Sequence, residues 1–251
     1  MIGLKLAQLG VVLAVLGVWE AAVRSGLISS RQLAAPSDAA RALGTILVDP
    51  NVQSSLATTL GELALAVVLA VPTGVLLGFF AAEYRAADRL LTPLLYIGTA
   101  VPKSLFLPLF ILALGIGVNQ KVVFGVAQAF FVVAVATLVA MRGVPIGLTQ
   151  LGRSLNASPR QMYWHIYLPY MLPVIVQGMR IGIIYAATGI LFAEMYAARG
   201  GLGRLINLWG SSYDLPKMLA GTLLAALGAI VINSGLRLCE DRLGRWRVAG
   251  Q

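Results

Sequence analysis

Residues 150–173, QLGRSLNASPRQMYWHIYLPYMLP, form a short polar island between two long apolar runs. Ser158, Pro159 and Gln161 carry helix-start chemistry. The serine hydroxyl can cap, proline suits the first helical position, and glutamine sits where a capping box takes Glu or Gln. Pro169 disfavours an undisturbed helix and biases Leu168 towards extended geometry. The sequence therefore predicts a short helix over residues 159–167. Tyr163, Trp164 and Tyr167 fall on one face of it at i, i+1 and i+4. Such a stripe fits an aromatic belt at a membrane surface, or a knob gripped by a cytoplasmic partner. Spacing alone does not decide between them.

The flanks of the island set the fold class. Of 251 residues, 59% are hydrophobic and 12% charged, against about 25% charged in an ordinary soluble domain. That is too little polar material to cover a soluble globule. Six apolar segments, about 4–22, 56–81, 90–116, 122–141, 171–198 and 218–238, reach the roughly 20 residues of a bilayer span. In lipid every backbone polar group must be satisfied internally, which forces helices. The expected fold is all-α and integral to a membrane, one transmembrane domain over residues 1–251 with about six helices. Lys5 before the first apolar run is like a signal peptide, but Trp19 and Glu20 stand where small residues should mark cleavage. An uncleaved first helix is expected. The stretch 24–53, with Pro36 and Pro50, is expected to be an outer loop.

The net charge of +9 fits topology control and anionic headgroups, not nucleic acid. No basic-aromatic platform is present. With both termini cytoplasmic, Lys5, Arg85, Arg89, Arg142, Arg153, Arg160, Arg237, Arg242, Arg245 and Arg247 lie inside. Arg24, Arg31, Arg41, Lys121, Arg199, Arg204 and Lys217 then lie outside. This is the arrangement the positive-inside rule favours. A lone Cys239 and a lone His165 exclude a disulfide framework and a multi-histidine metal site. No His, Cys or carboxylate cluster suggests an enzyme.

A charge at the bilayer centre costs about 2.5–3.5 kcal/mol on insertion scales, so each one needs a protein or water environment. Lys103 follows Pro102 in the middle of the third segment, with Pro108 beyond and Gly98 before. This pattern predicts a broken helix lining a cavity, where Lys103 would favour an anion. Arg180 and Glu194 lie within about 40° of one helix face and about 21 Å apart along its axis. Arg180 can stabilise an anion or a dimer interface. Glu194 can line the same path or pair with Arg199 or Arg204. Glu62 is expected to snorkel to water, and Glu20 to anchor at the interface. GGLG at 200–203 gives backbone freedom for a hinge or a short re-entrant helix. It is too short for a nucleotide fingerprint.

The island resembles the cytoplasmic signature E-A-A-x3-G-x9-I-x-L-P of binding-protein-dependent ABC importer permeases. Ile166, Leu168 and Pro169 match its tail. Gln150 stands for the Glu, Leu151 and Gly152 for the alanines, and Asn156 for the Gly. Asparagine is the best substitute for glycine where the backbone turns left-handed. GVWEAAVRSGLI (17–28) is similar to the family's opening. VPTGVLLGFFAAEYRAADRLLTPLL (71–95), VPKSLFLPLFILALGIG (101–117) and GMRIGIIYAATGILFAEMYAARGGLGRLI (178–206) are similar to its second, third and fifth helices. Together these stretches resemble the subgroup of nitrate, sulfonate and taurine permeases, which also includes presumed pyrimidine-precursor and aromatic-acid permeases.

The resemblance implies a type I importer permease with a cytoplasmic coupling helix between helices 4 and 5, in a region about 147–169. Gln150, Asn156, Ala157, Ser158, Pro159, Arg160, Tyr163, Trp164, Ile166, Leu168 and Pro169 would serve the coupling. Pro102, Lys103, Arg180 and Glu194 would line the path. The implied partners are a second copy of the chain, two ATPase subunits and a periplasmic solute-binding protein, in a bacterial inner membrane. The chain itself would hold no cofactor, with ATP and Mg on the partner ATPase. It contains no G-x-x-x-x-G-K-[ST] phosphate loop. A stand-alone ion-coupled carrier would predict inverted repeats and more midplane carboxylates, and neither is present. A non-transporting membrane anchor would leave Lys103 and Arg180 inert.

Overall fold

A computed structural model describes the backbone of residues 2–248 and the side chains of residues 6–237. The side chains of Lys5, Cys239, Arg242, Arg245 and Arg247 lie outside the described residues. Helix is the only regular structure among those described. In chain order the helices are α1 (Ile2–Arg24), α2 (Pro36–Leu47), α3 (Pro50–Glu83), α4 (Arg85–Ala100), α5 (Leu107–Leu114), α6 (Val118–Arg142), α7 (Ile146–Ser154), α8 (Pro159–Met162), α9 (Leu168–Tyr196), α10 (Leu202–Ser211) and α11 (Leu215–Val248). Five stretches are long and apolar enough to cross a membrane: Leu6–Arg24, Pro50–Glu83, Val118–Arg142, Pro159–Tyr196 and Leu215–Arg237.

The third expected span is not one helix. Arg85–Ala100 and Lys103–Leu114 meet at an 85° bend, and only as a pair do they make a sixth span. The break falls where the prolines predict it. Val101 is extended (ψ 127°) and Pro102 supplies no N–H to continue the ladder. A 3-10 turn over Lys103–Phe106 then leads into α5, with Pro108 in its first turn.

The chain forms two compact units, Met1–Thr58 with Glu194–Gly228, and Thr59–Ala193 with Ala229–Gln251. The larger is built on α6. Leu63, Ala66 and Ala70 of α3, Val122 and Ala129 of α6, and Ala186 and Ile190 of α9 make one buried cluster. A Cβ at Gly78 of α3 would run into the Ala134 carbonyl oxygen of α6, and one at Gly178 of α9 into the Ala136 side chain. Small residues let helices approach this closely, which matters in lipid, where packing rather than exclusion from water drives association.

Charge reinforces both ends of α6. Near its start Lys121 pairs with Glu62 of α3, and their side chains are 4% and 3% exposed. Glu62 therefore does not snorkel, and Lys121 is not an outer loop cation. The two helices face each other there, so the carboxylate meets a cation before it meets water. At the far end Arg142 pairs with Asp88 of α4, and Thr92 bonds to both.

In the smaller unit the stretch expected as an outer loop contains α2. Pro36 occupies its first turn, Asp38 favours the positive helix start, and Ala39, Ala42 and Ile46 are buried. Glu20 accepts hydrogen bonds from the Ser37 N–H (3.0 Å) and hydroxyl (2.7 Å). Arg24 bridges Glu20 and Asp38, both at 2.9 Å. Glu20 is thus part of a clasp joining α1 to α2 rather than an interface anchor. Its oxygens satisfy donors that the start of α2 leaves open.

Candidate functional site

The island is a helix–turn–helix whose turn is set by local hydrogen bonds. Past the C-terminus of α7, the Asn156 N–H donates to the Arg153 carbonyl (3.0 Å) and the Ala157 N–H to that of Gly152 (3.0 Å). This is the Schellman pattern, which needs a left-handed residue just past the helix. Asn156 supplies it at φ +51°, as its place in the glycine position of the motif led one to expect. The chain then enters α8 through a reciprocal cap. The Gln161 N–H donates to Ser158 Oγ (3.3 Å), and the Ser158 N–H donates to Gln161 Oε1 (2.8 Å). The predicted capping box is present.

The helix does not end at residue 167. It continues through a π turn over Tyr163–Tyr167 into α9, giving one rod, Pro159–Tyr196, of 38 residues. Leu168 is helical (φ −59°, ψ −49°), and its N–H reaches back to the Tyr163 carbonyl. The wider turn makes room for the Pro169 ring against the preceding backbone, which a normal α turn would not.

The π turn also divides the aromatic stripe. Tyr163 and Tyr167 turn inward with ring centroids 5.1 Å apart, and Tyr163 meets Phe79 at 5.8 Å. Both pack on a cluster of Ala140, Met141, Met171 and Ile175. Trp164 stays 61% exposed, beside Arg160, Gln161 and His165 along a groove of about 410 Å³. A second groove of about 460 Å³ is lined mainly by Leu148, Leu151, Gly152, Leu155 and Ile166. Leu148, Leu151 and Leu155 are exposed. Their spacing of three, four and seven residues is the helical signal that sequence reasoning passed over. Gly152 lets α7 lie against Met162 and Ile166. Gln150, Ser158 and Pro159 are exposed, while Ala157 and Pro169 are half-buried.

The proposed path residues fall in different surroundings. Pro102 caps the 3-10 turn, and Lys103 Nζ lies 5.5 Å from the centroid of the Phe131 ring. Phe131 in turn sits against Gly98, so one α6 side chain supports both the helix break and the lysine. Arg180 is half-buried on α9. Glu194 is 1% exposed, and its Oε2 accepts the Gly203 N–H at 2.8 Å. Among the described residues no ion pair joins it to Arg199 or Arg204. Buried at the end of α9, it holds the GGLG turn through the backbone. Gly201 adopts φ +108° there, and a side chain on it would strike the Glu194 carboxylate.

Residues 74–245 match the family described as binding-protein-dependent transport system inner membrane component. The taurine transport system permease protein TauC of Escherichia coli (strain K12) is 30% identical over 244 residues, covering 95% of this chain and 89% of the relative. The riboflavin transport system permease protein RibX of Chloroflexus aurantiacus (strain ATCC 29366 / DSM 635 / J-10-fl) is 31% identical over 168 residues, 67% of this chain and 63% of the relative. Among solved structures, an inward-facing form of the MetNI methionine ABC transporter superposes with a TM-score of 0.62 at 23% identity, over 79% of this chain and 96% of that one. The polar island between apolar spans, the helical membrane fold and these matches agree, and the chain belongs to the binding-protein-dependent transport system inner membrane components, the permeases of ABC importers.

Proposed function

We propose that two copies of this chain form the path for a small anionic solute, and that partner ATPases grip the exposed face of the island. The observation that carries the docking assignment is the exposure of Trp164, Leu151 and Leu155 on a segment fixed by a Schellman turn and a capping box. Isolated apolar residues on a surface need no explanation, but a rigid apolar face lined by two grooves invites a partner. ATP-driven movement of the ATPases would then shift the permease between inward-facing and outward-facing states, each favoured by its own ligands. A soluble binding protein would deliver the solute from the opposite face.

The anion assignment rests on Lys103 at the helix break and Arg180 on α9. TauC is named for a sulfonate solute and RibX for a flavin, so family membership alone does not choose between them. The test is ATP-driven uptake by the reconstituted complex. Trp164→Ala and Arg160→Ala should lower uptake while leaving membrane insertion intact. Wild-type uptake in both would remove the docking assignment. Lys103→Met should reduce uptake at limiting solute, and equal uptake would remove the main support for an anion.

A further inference from the structure

A cavity of about 430 Å³ in the smaller unit lies among Arg199, Arg204, Trp209, Asp49, Ser54 and Thr58. Both arginines are exposed. Among the described residues neither has a carboxylate partner, whereas Arg24, Arg41, Lys121, Arg142 and Lys217 each have one. Asp49, which lines the cavity, and Glu194, five residues before Arg199, each accept a backbone N–H. Asp49 Oδ1 takes that of Asn51 at 2.8 Å, capping the start of α3, and Glu194 takes that of Gly203. The hydroxyls of Ser54 and Thr58 donate to backbone carbonyls of their own helix. The strong donors left to this cavity are the two guanidinium groups.

The backbone that carries them is tied down. Arg199 precedes the glycine turn, and Arg204 lies in the first turn of α10. The buried Glu194 carboxylate pins the backbone between them. Two like charges held at one concavity repel, and an anion placed between them turns that repulsion into charge-assisted hydrogen bonds.

We propose that this cavity binds the anionic headgroup of a small oxyacid, a sulfonate or a carboxylate, between Arg199 and Arg204. As a step in uptake this rests on the anion reading above. As a binding site it stands apart from Lys103.

The test uses the full chain in nanodiscs of phosphatidylcholine, titrated with methanesulfonate and with acetate by calorimetry. Saturable binding of at least one is expected, weakened about tenfold by Arg199→Gln or by Arg204→Gln, the loss of one charged hydrogen bond. Arg31→Gln, an exposed cation outside the cavity, should bind as wild type does. Arg204→Lys keeps the charge but loses the planar fork, and should weaken binding to an intermediate degree. It also reads the site if the glutamine variants fail to elute as folded protein.

The proposal is overturned if wild type shows no saturable binding, or if none of the arginine variants weakens it. Loss of binding in Lys103→Met alone would also overturn it, while leaving the anion reading in place. A lipid headgroup offers the same chemistry, so the titration is repeated with phosphatidylglycerol in the disc. Unchanged binding supports a free solute. Binding abolished there, with arginine-dependent co-purification of phosphatidylglycerol, would give the site to lipid instead.

Discussion

The two ends of α6 are tied down by the same kind of bond in opposite settings. Lys121 and Glu62 are 4% and 3% exposed, and Arg142 and Asp88 are 42% and 41% exposed. In the first pair both charges are removed from water and from lipid, so the Glu62 carboxylate depends on the lysine. In the second, solvent can replace either partner. A buried pair is poor evidence of net stability, yet breaking it is severe, because the survivor is left charged and alone. An exposed pair adds little and is screened by salt. The buried end of α6 is therefore the fragile one chemically, although it is the better protected sterically.

The largest effect should come from Lys121→Met, which strands Glu62 and should destabilise by about 3–5 kcal/mol. Thermal midpoints read by gel filtration in detergent would show it, and a wild-type midpoint would mean that the pair does not hold α3 to α6. The double variant Glu62→Leu/Lys121→Leu should recover most of that loss, since an apolar pair of similar volume can replace a buried ion pair. Gly78→Val tests the middle of the helix, where the added side chain meets the Ala134 backbone and not a flexible tip. Overpacking of this kind costs about 1–3 kcal/mol, so a shift smaller than that of Lys121→Met is expected. Asp88→Asn should do least. Its midpoint should fall close to wild type, and the remaining difference should vanish in high salt.

What could be read from the chain follows the range of the interactions involved. The capping box at Ser158 and Gln161, the left-handed Asn156 and the helix break at Pro102 all depend on residues a few positions apart, and each stands where the sequence put it. The pairing of Glu62 with Lys121 depends on which faces of α3 and α6 meet, and a hydropathy pattern carries no such information. Glu62 looked like a snorkelling carboxylate because its partner lies on another helix. Leu168 failed for a different reason. The bias against a helical residue before proline is a local preference, and the continuous helix on both sides overrides it, with Leu168 at φ −59° and ψ −49°. The helix α2 was missed because Pro36 and Pro50 suggested a loop. Yet Pro36 opens the helix and Ala39, Ala42 and Ile46 give it a buried face. Glu194 was read as a path residue or a partner of Arg199 or Arg204, and the backbone bond from Gly203 to its Oε2 lay beyond what side-chain charges reveal.

The pair between Glu62 and Lys121 also bears on the order in which the protein is made. Synthesis runs from the N-terminus at about 5–20 residues per second, so α3 is complete several seconds before α6 emerges. During that interval the Glu62 carboxylate has no lysine to meet. A newly inserted α3 must hold it near the headgroups, or wait beside the insertion machinery, until α6 arrives. The packing of α3 on α6 that finally buries both charges is thus an assembly step as well as a contact, and a ribosome pausing between residues 62 and 121 would expose its weakest moment.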